Sequence, residues 1–335
     1  MPKLTVILPV LNGANYLERS ISSVLNQNFR HFELLVLDGG STDATLPIAQ
    51  GTGDSRVQVC TTHAGLGLFE RLNLGIREAR APLVRFWAHD DIMLPECLAA
   101  FYRAAEAWPK AGLYYCSFYQ IDSKGARTGH EQLFEGCRRR TPDLAENKLS
   151  ALLFYCYGCL PGNISTVMLR KEAWEAVGGF QEGFQQSPDY DMWIRISDHF
   201  PVAFLREKLV EVRCHAGQLS GVGMREMTTV EQELSIFQML RQRLDGVVSD
   251  RELEKFWRQQ RGRQHIHWLA KAILRGNWAA ARRGWCAIRQ YDQPWRQVLY
   301  WVFSLNGRLF TPSGDQFFDS RVKWCLSGST LQPLQ

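Results

Sequence analysis

The sequence predicts an α/β fold: a mostly parallel sheet flanked by helices, followed by a C-terminal helical extension. Three observations carry that reading. Through the first hundred residues, short continuous apolar runs alternate with segments whose apolar residues recur at helical spacing. Strands buried on both faces and joined by crossover helices leave that pattern, and the connections are short, as such units require. Beyond Glu226 the strand signal ends and helical spacing takes over.

The elements follow in order. Thr5 to Leu8 is a β-branched apolar run ended by Pro9 and Asn12-Gly13, and Tyr16, Leu17, Ile21, Val24 and Leu25 mark a helix behind it. Glu33 to Leu37 is a second strand, closed by Asp38-Gly39-Gly40. Val57 to Thr61 is a third, Leu72 to Ala79 reads as a helix, and Leu83 to Trp87 is a fourth strand running into His89-Asp90-Asp91. Leu113 to Phe118 and Ile164 to Leu169 are further strands, and Leu209 to Val212 is strand-like. Glu172 to Val177 is a helix stopped by Gly178-Gly179, and Asp191 to Ser197 is a short helix. Ile273 to Ile288 reads as a helical hairpin turning at Gly276.

Composition narrows the class. The 335 residues are 45% apolar and 22% charged, which excludes dominant disorder, and 27 Gly with 13 Pro exclude a collagen-like chain. A net charge of +5 is too mild to argue for nucleic acid, and no nucleic-acid partner is expected. The charge is unevenly spread: residues 1–224 carry 22 basic and 24 acidic side chains, and residues 225–335 carry 17 and 10, with seven of the eleven tryptophans. We therefore expect two domains, 1–224 and 225–335. The second is basic and Trp-rich, with Trp, Leu and Arg interleaved from Trp295 to Phe310. It is expected either to approach something anionic, such as a membrane surface, or to serve as a packed extension or dimer contact.

Nine scattered cysteines suggest a reduced intracellular chain, and Cys156 with Cys159 forms a lone CxxC better read as buried thiols than as a zinc site. Leu4 to Leu8 is too short for a signal peptide. The longest uncharged stretch, Leu149 to Leu169, is broken by Gly158, Pro161, Gly162 and Asn163, and reads as a buried loop and strand rather than a membrane span. A cytoplasmic location, peripheral on the inner face of the membrane, is the expectation.

In open α/β sheets ligands collect at the carboxyl ends of strands. Asn12, Asp38 and Asp90 each follow an expected strand by a few residues, so three polar groups from distant sequence converge on one edge. Asp38-Gly39-Gly40-Ser41-Thr42-Asp43 reads either as a turn and helix cap or as a ligand loop in which Asp38 accepts from a base imide or a ribose hydroxyl. Of the adjacent Asp90 and Asp91, one is expected to face a ligand, such as a divalent cation shared with a nucleotide diphosphate. Gly65-Leu-Gly67-Leu-Phe-Glu70 is an incomplete dinucleotide fingerprint and weak by itself. Asp189 or Asp191 would cap a helix, or, ionised at a helix start, act as a general base. Trp193 offers a flat face of the kind sugars pack on, and a lone His such as His215 is more often structural than a ligand.

Taken together these segments resemble the family 2 glycosyltransferases with the GT-A fold, a Rossmann-like mixed sheet. The match runs in the family's order over about residues 3–220. It comprises Val6-Ile-Leu-Pro9-Val-Leu-Asn12-Gly13, Ser23-Val-Leu-Asn-Gln27, Phe32 to Asp43, Leu72-Asn73-Leu-Gly75-Ile76, Phe86-Trp-Ala-His-Asp90-Asp91, Val177-Gly-Gly-Phe180, Asp189-Tyr-Asp191-Met-Trp193-Ile-Arg195 and Arg213-Cys-His215. The resemblance implies a nucleotide-sugar site at Pro9, Asn12, Asp38, Asn73, His89 and Asp90. It implies Mg²⁺ or Mn²⁺ on Asp90 and His215, Asp189 as catalytic base, and Asp191 and Trp193 bordering the acceptor. Three positions depart from the family's pattern. Ala88 stands where the metal motif has its first acid, Pro188 replaces a Glu before the base, and Leu11 replaces an aromatic that stacks on the nucleobase. Metal affinity is then expected to depend on the nucleotide.

The implied reaction is inverting transfer of a sugar from a nucleotide-diphosphate sugar to an acceptor hydroxyl, a glycan or a lipid-linked one, in cell-surface polysaccharide or glycolipid assembly. The alternative is a non-catalytic glycan-binding or scaffold protein on a degenerate fold. Donor and acceptor choice is expected to rest on loops such as 125–140.

Overall fold

The two central strands show why the chain folds from its first residues. β1 (Leu4–Val10) and β2 (Phe32–Asp38) are buried along their whole length and pair in parallel, Leu4 opposite Phe32 and Val10 opposite Asp38. The polar groups inside them are answered: Thr5 Oγ1 donates to Glu33 Oε1 at 2.6 Å, and the Arg80 N–H donates to the same oxygen at 2.9 Å. This computed structural model describes residues 1–62, 65–128, 143–181, 187–215, 226–258, 262–291, 293–305, 318 and 321.

The chain divides into two compact units interleaved in sequence. The first takes in residues 1–147, 161–183 and 192–215. After β1 come α1 (Ala14–Leu25), β2, α2 (Thr45–Gln50), β3 (Val57–Thr61), α3 (Leu68–Glu78), β4 (Leu83–Phe86), β5 (Ile92–Met93), α4 (Cys97–Ala107), β6 (Leu113–Ile121) and β7 (Leu144–Ala145). Among the described residues nine strands form one sheet in the order β3-β2-β1-β4-β8-β6-β9-β5, with β7 on β9, where β8 is Val167–Arg170 and β9 is Val202–Arg213. The β3-β2-β1-β4 half is parallel and β8 runs antiparallel between β4 and β6, so the sheet is mixed, as a GT-A fold requires.

One face of the sheet is covered by Leu17, Ile21 and Val24 of α1 and Leu98 and Phe101 of α4, packed on Leu4, Val6 and Leu8. α3 lies close because Gly75 has no side chain: a Cβ there would come within 2.6 Å of Ile7 and 2.8 Å of Leu37.

The second unit takes in residues 148–160, 184–191 and 216–335. Its elements are α5 (Asn147–Tyr157), the first turn of α7 (Pro188–Ser197), α8 (Thr228–Arg243), α9 (Asp250–Trp257), α10 (Arg263–Leu274), α11 (Trp278–Tyr291) and α12 (Pro294–Leu305); α6 (Lys171–Val177) belongs to the first unit. The Tyr155 hydroxyl donates to the Leu253 carbonyl at 2.8 Å among Phe237 and Phe256. The hairpin between α10 and α11 turns at Gly276, whose φ is +69°, as its sequence anticipates.

Other expectations are corrected. The stretch from Leu149 is the buried helix α5 rather than loop, because eight successive residues from Leu149 pack inward. The strand expected from Ile164 opens as a 3-10 turn over Ile164–Thr166, held by Asn163 Oδ1 accepting from the Ser165 N–H at 2.7 Å. α7 starts three residues early, at Pro188, which suits a first helical position. Among the described residues no helix is long and apolar enough to cross a membrane. Residues 129–140 of the loop expected to choose substrates, and 306–310 of the Trp-rich segment, lie outside the described residues.

Candidate active site

The parallel pairing of β2, β1 and β4 brings the carboxyl ends of three strands side by side, and the loops that leave them carry the candidate residues. Pro9 is buried within β1, opposite Leu37. Asn12 follows with φ +52°, a left-handed conformation that Asn tolerates better than most residues. Its N–H donates to Ser41 Oγ at 2.9 Å, and its Oδ1 accepts the Thr42 N–H at 2.9 Å. Asp43 adds a second tie: it accepts from the Ala14 N–H at 3.2 Å and the Thr45 N–H at 3.0 Å, fastening the starts of α1 and α2. Those hydrogen bonds, led by the Thr45 hydroxyl, hold its carboxyl below the usual range.

Asp38 ends β2 and is buried. It accepts from the Gly40 and Ser41 N–H groups, each at 3.1 Å, and from the Ser41 hydroxyl. Both sets of bonds belong to the turn-and-cap reading of this loop: Asp43 serves the helix starts, and Asp38 shapes the turn.

Beside Asp38 lies a residue the sequence reading missed. Arg71 of α3 is 6% exposed, and its Nε and Nη1 have no hydrogen-bond partner. Burial lowers its pKa and the Asp38 charge raises it. The guanidinium occupies the space that a Cβ on Gly39 would fill. An available signal was its place in the buried stripe of α3, next to Leu72 and in line with Gly75 and Ile76. The Gly65-to-Glu70 motif resolves as the start of this helix: Glu70 Oε2 accepts the Gly67 N–H at 2.5 Å.

The turn after β4 is held from four sides. Trp87 Nε1 donates to Ser20 Oγ at 2.8 Å, and the Ala88 N–H donates to Ser165 Oγ at 2.9 Å. Arg213 Nε donates to the Asp90 carbonyl at 2.8 Å, and the Arg213 N–H donates to Asp91 Oδ1 at 2.8 Å. His89 packs so closely on Gly13 that a Cβ there would strike its ring, and burial holds this imidazole below its usual pKa.

The two adjacent acids part ways. Asp91 points inward, and burial with the charge of Asp90 pushes its carboxyl up to about 7. Asp90 stands at the edge, its Oδ2 3.0 Å from His215 Nε2, with both side chains partly exposed. Among the described residues no group of three His, Cys, Asp or Glu side chains is arranged to hold a metal ion. Asp90 and His215 place one carboxylate and one imidazole 3.0 Å apart. A hard octahedral cation held by few protein ligands, with phosphate oxygens and water completing the shell, fits that arrangement.

The remaining expected residues have other surroundings. Asn73 is committed to the chain: its Oδ1 accepts from Trp174 Nε1 and the Phe180 N–H, each at 3.0 Å, and its Nδ2 donates to the Phe180 carbonyl at 2.9 Å. Trp193 is 1% exposed, its ring 6.0 Å from Phe86 and 5.9 Å from Phe180. A ring so enclosed offers a sugar no face, which corrects that expectation; Asp191 is buried as well. Asp189, described with the second unit, sits half-buried in the first turn of α7. Its Oδ1 accepts the Tyr190 N–H at 2.9 Å, and burial pushes its carboxyl up to about 6.

Comparison with known proteins agrees with the fold. Residues 5–167 match the model of Glycosyl transferase family 2. An uncharacterized glycosyltransferase of Rickettsia prowazekii is 27% identical over 242 residues, 70% of this chain and 71% of that one. One from Haemophilus influenzae is 26% identical over 239 residues, covering 70% and 72%. Staphylococcus aureus TarS 1–349, solved in complex with UDP-GlcNAc, superposes with a TM-score of 0.60 at 14% identity, covering 92% of this chain and 93% of that chain. The mannosyltransferase PcManGT of Pyrobaculum calidifontis, solved with GDP-Man and Mn²⁺, gives 0.52 at 16% identity, covering 97% and 85%. At these identities the solved structures establish the fold.

Proposed function

We propose that this glycosyltransferase moves a sugar, with inversion, from a nucleotide-diphosphate sugar to an acceptor hydroxyl on a glycan or lipid-linked substrate, in cell-surface polysaccharide or glycolipid assembly. One observation carries the donor half of the reading. A buried carboxylate, Asp38, and a buried guanidinium with open N–H groups, Arg71, adjoin at the carboxyl end of β2. Together they offer an acceptor and donors to a nucleobase edge, and buried N–H groups without an acceptor are costly unless a ligand meets them. Pro9 and Asn12 are assigned to the same donor site, as is His89, whose imidazole burial holds below its usual pKa.

Asp90 and His215 would hold Mg²⁺ or Mn²⁺, and the ion would supply positive charge against the diphosphate when bound. Asp189 is assigned as base. The acceptor oxygen forms a bond to the anomeric carbon and gives its proton to an Asp189 carboxylate oxygen. The bond from that carbon to the diphosphate oxygen breaks, and the nucleoside diphosphate leaves. A carboxyl with pKa about 6 suits the task, since a base works best with its pKa near the operating pH.

Ala88 favours a second reading, a glycan-binding scaffold, because it removes one carboxylate from the metal motif. Incubation with UDP-, dTDP- and GDP-sugars and Mn²⁺ separates the two. An enzyme releases nucleoside diphosphate, and the Asp90→Asn variant does not; a scaffold releases none with any donor.

A further inference from the structure

The α10–α12 helices expose large apolar side chains beside arginines. On α11 the buried residues are Ala280, Ala281, Gly284, Ala287 and Ile288, and the exposed stripe opposite is Trp278, Arg282, Trp285 and Arg289. Those four fall at i, i+4, i+7 and i+11, one line along the helix. On α12, Trp295, Leu299 and Val302 form a second exposed stripe at i, i+4 and i+7, flanked by exposed Arg296. At the turn between α10 and α11, Leu274 is 86% exposed and Trp278 69% exposed, with Arg275 between them in sequence. From residue 263 to 305 the sequence carries seven Lys and Arg against one acid, Asp292.

We propose that this face docks on an anionic lipid bilayer, the Leu274–Trp278 tip and the Trp295–Val302 stripe entering the headgroup boundary while the arginines meet lipid phosphates. Indole rings favour that boundary, and Arg keeps its charge at the surface while its stem lies on apolar groups. The charge excludes a second copy as the occupant, since two such faces would bring like charges together. The aliphatic members exclude nucleic acid: Leu274, Leu299 and Val302 gain from acyl chains and nothing from phosphates. The inference is independent of the transfer reaction, and its readout does not use it.

The test is co-sedimentation of the full chain with vesicles of phosphatidylcholine alone and of phosphatidylcholine mixed with phosphatidylglycerol. The wild type should pellet with the mixed vesicles, remain largely in solution with the neutral ones, and be released by salt. Arg282→Gln with Arg289→Gln should weaken binding about 30-fold, two cations at roughly 1 kcal/mol each. Leu274→Ser with Trp278→Ser should weaken binding to the mixed vesicles without changing the melting temperature or nucleoside-diphosphate release. The proposal fails if the wild type ignores anionic vesicles, if it binds both compositions alike, or if the arginine variant binds as well as wild type. It fails too if light scattering shows a dimer, or gel shift an oligonucleotide complex, that these substitutions abolish while vesicle binding is absent.

Discussion

Arg213 is tied to Asp90 through the main chain and not by pairing of charges: its Nε donates to the Asp90 carbonyl at 2.8 Å. The same guanidinium reaches the Asp122 carbonyl at 2.9 Å and lies over the Tyr16 ring, while the Asp90 carboxylate is left to His215. Position and chemistry are thus divided between two residues. Arg213→Ala strips these bonds from a buried cluster and should cost about 3 kcal/mol of stability, read as a lower urea midpoint. Donor binding should fall with it even where the protein remains folded.

Asp90→Asn should leave the fold intact and remove the anionic half of the pair formed with His215. Calorimetry should show donor affinity in Mn²⁺ reduced to that measured in chelator. His215→Ala should produce a smaller loss of the same kind. Unchanged metal dependence in Asp90→Asn would move the cation elsewhere.

Asp189→Asn should lower transfer by about 10²- to 10⁴-fold with donor affinity unchanged. The pKa argument adds a sign. A carboxyl raised from 3.8 to about 6 in the folded protein binds protons more tightly there than in the unfolded chain, so its contribution to stability declines as pH rises from about 4 through about 6. Asn carries no such cost, so at pH 7 the inactive variant should melt no lower than wild type. Transfer by the wild type should decline as pH falls through about 6. A variant that is both inactive and clearly less stable would point to a structural role.

Arg71→Met should separate binding from stability in the same way. Removing a buried cation whose Nε and Nη1 find no acceptor should leave the melting temperature level or higher, while donor affinity drops about 10- to 100-fold, the value of a charged hydrogen bond or two. Gly39→Ala should reproduce part of that loss by placing a methyl group where the guanidinium sits. Equal donor binding by wild type and Arg71→Met would remove this residue from the pocket.

The strands that bear the pocket were legible because each is a short apolar run ended by a polar turn. Asp38 and Asp90 were legible by the same mark, standing where such a run stops. Arg71 was not, because a charged residue inside an amphipathic stripe reads as an interruption of the helix face until its neighbours are known. β9 was seen only at its end, since Arg206, Glu207 and Lys208 break its apolar pattern at the place where its pairing with β6 shifts register. Trp193 was misjudged because an aromatic near a site looks alike in sequence whether it faces a ligand or the core. Asn73, too, was legible as a polar residue in the right segment, but not as the clamp on the Gly178-Gly179 turn.

The ties from Asn12 to Ser41 and Thr42, and from Asp43 to Ala14 and Thr45, also govern motion. Two crossover connections that begin on different strands are sewn into a single flap, so neither hinges without the other. Their amide protons should exchange with solvent together, at one common opening free energy, and occupancy of the pocket should slow the whole set in step.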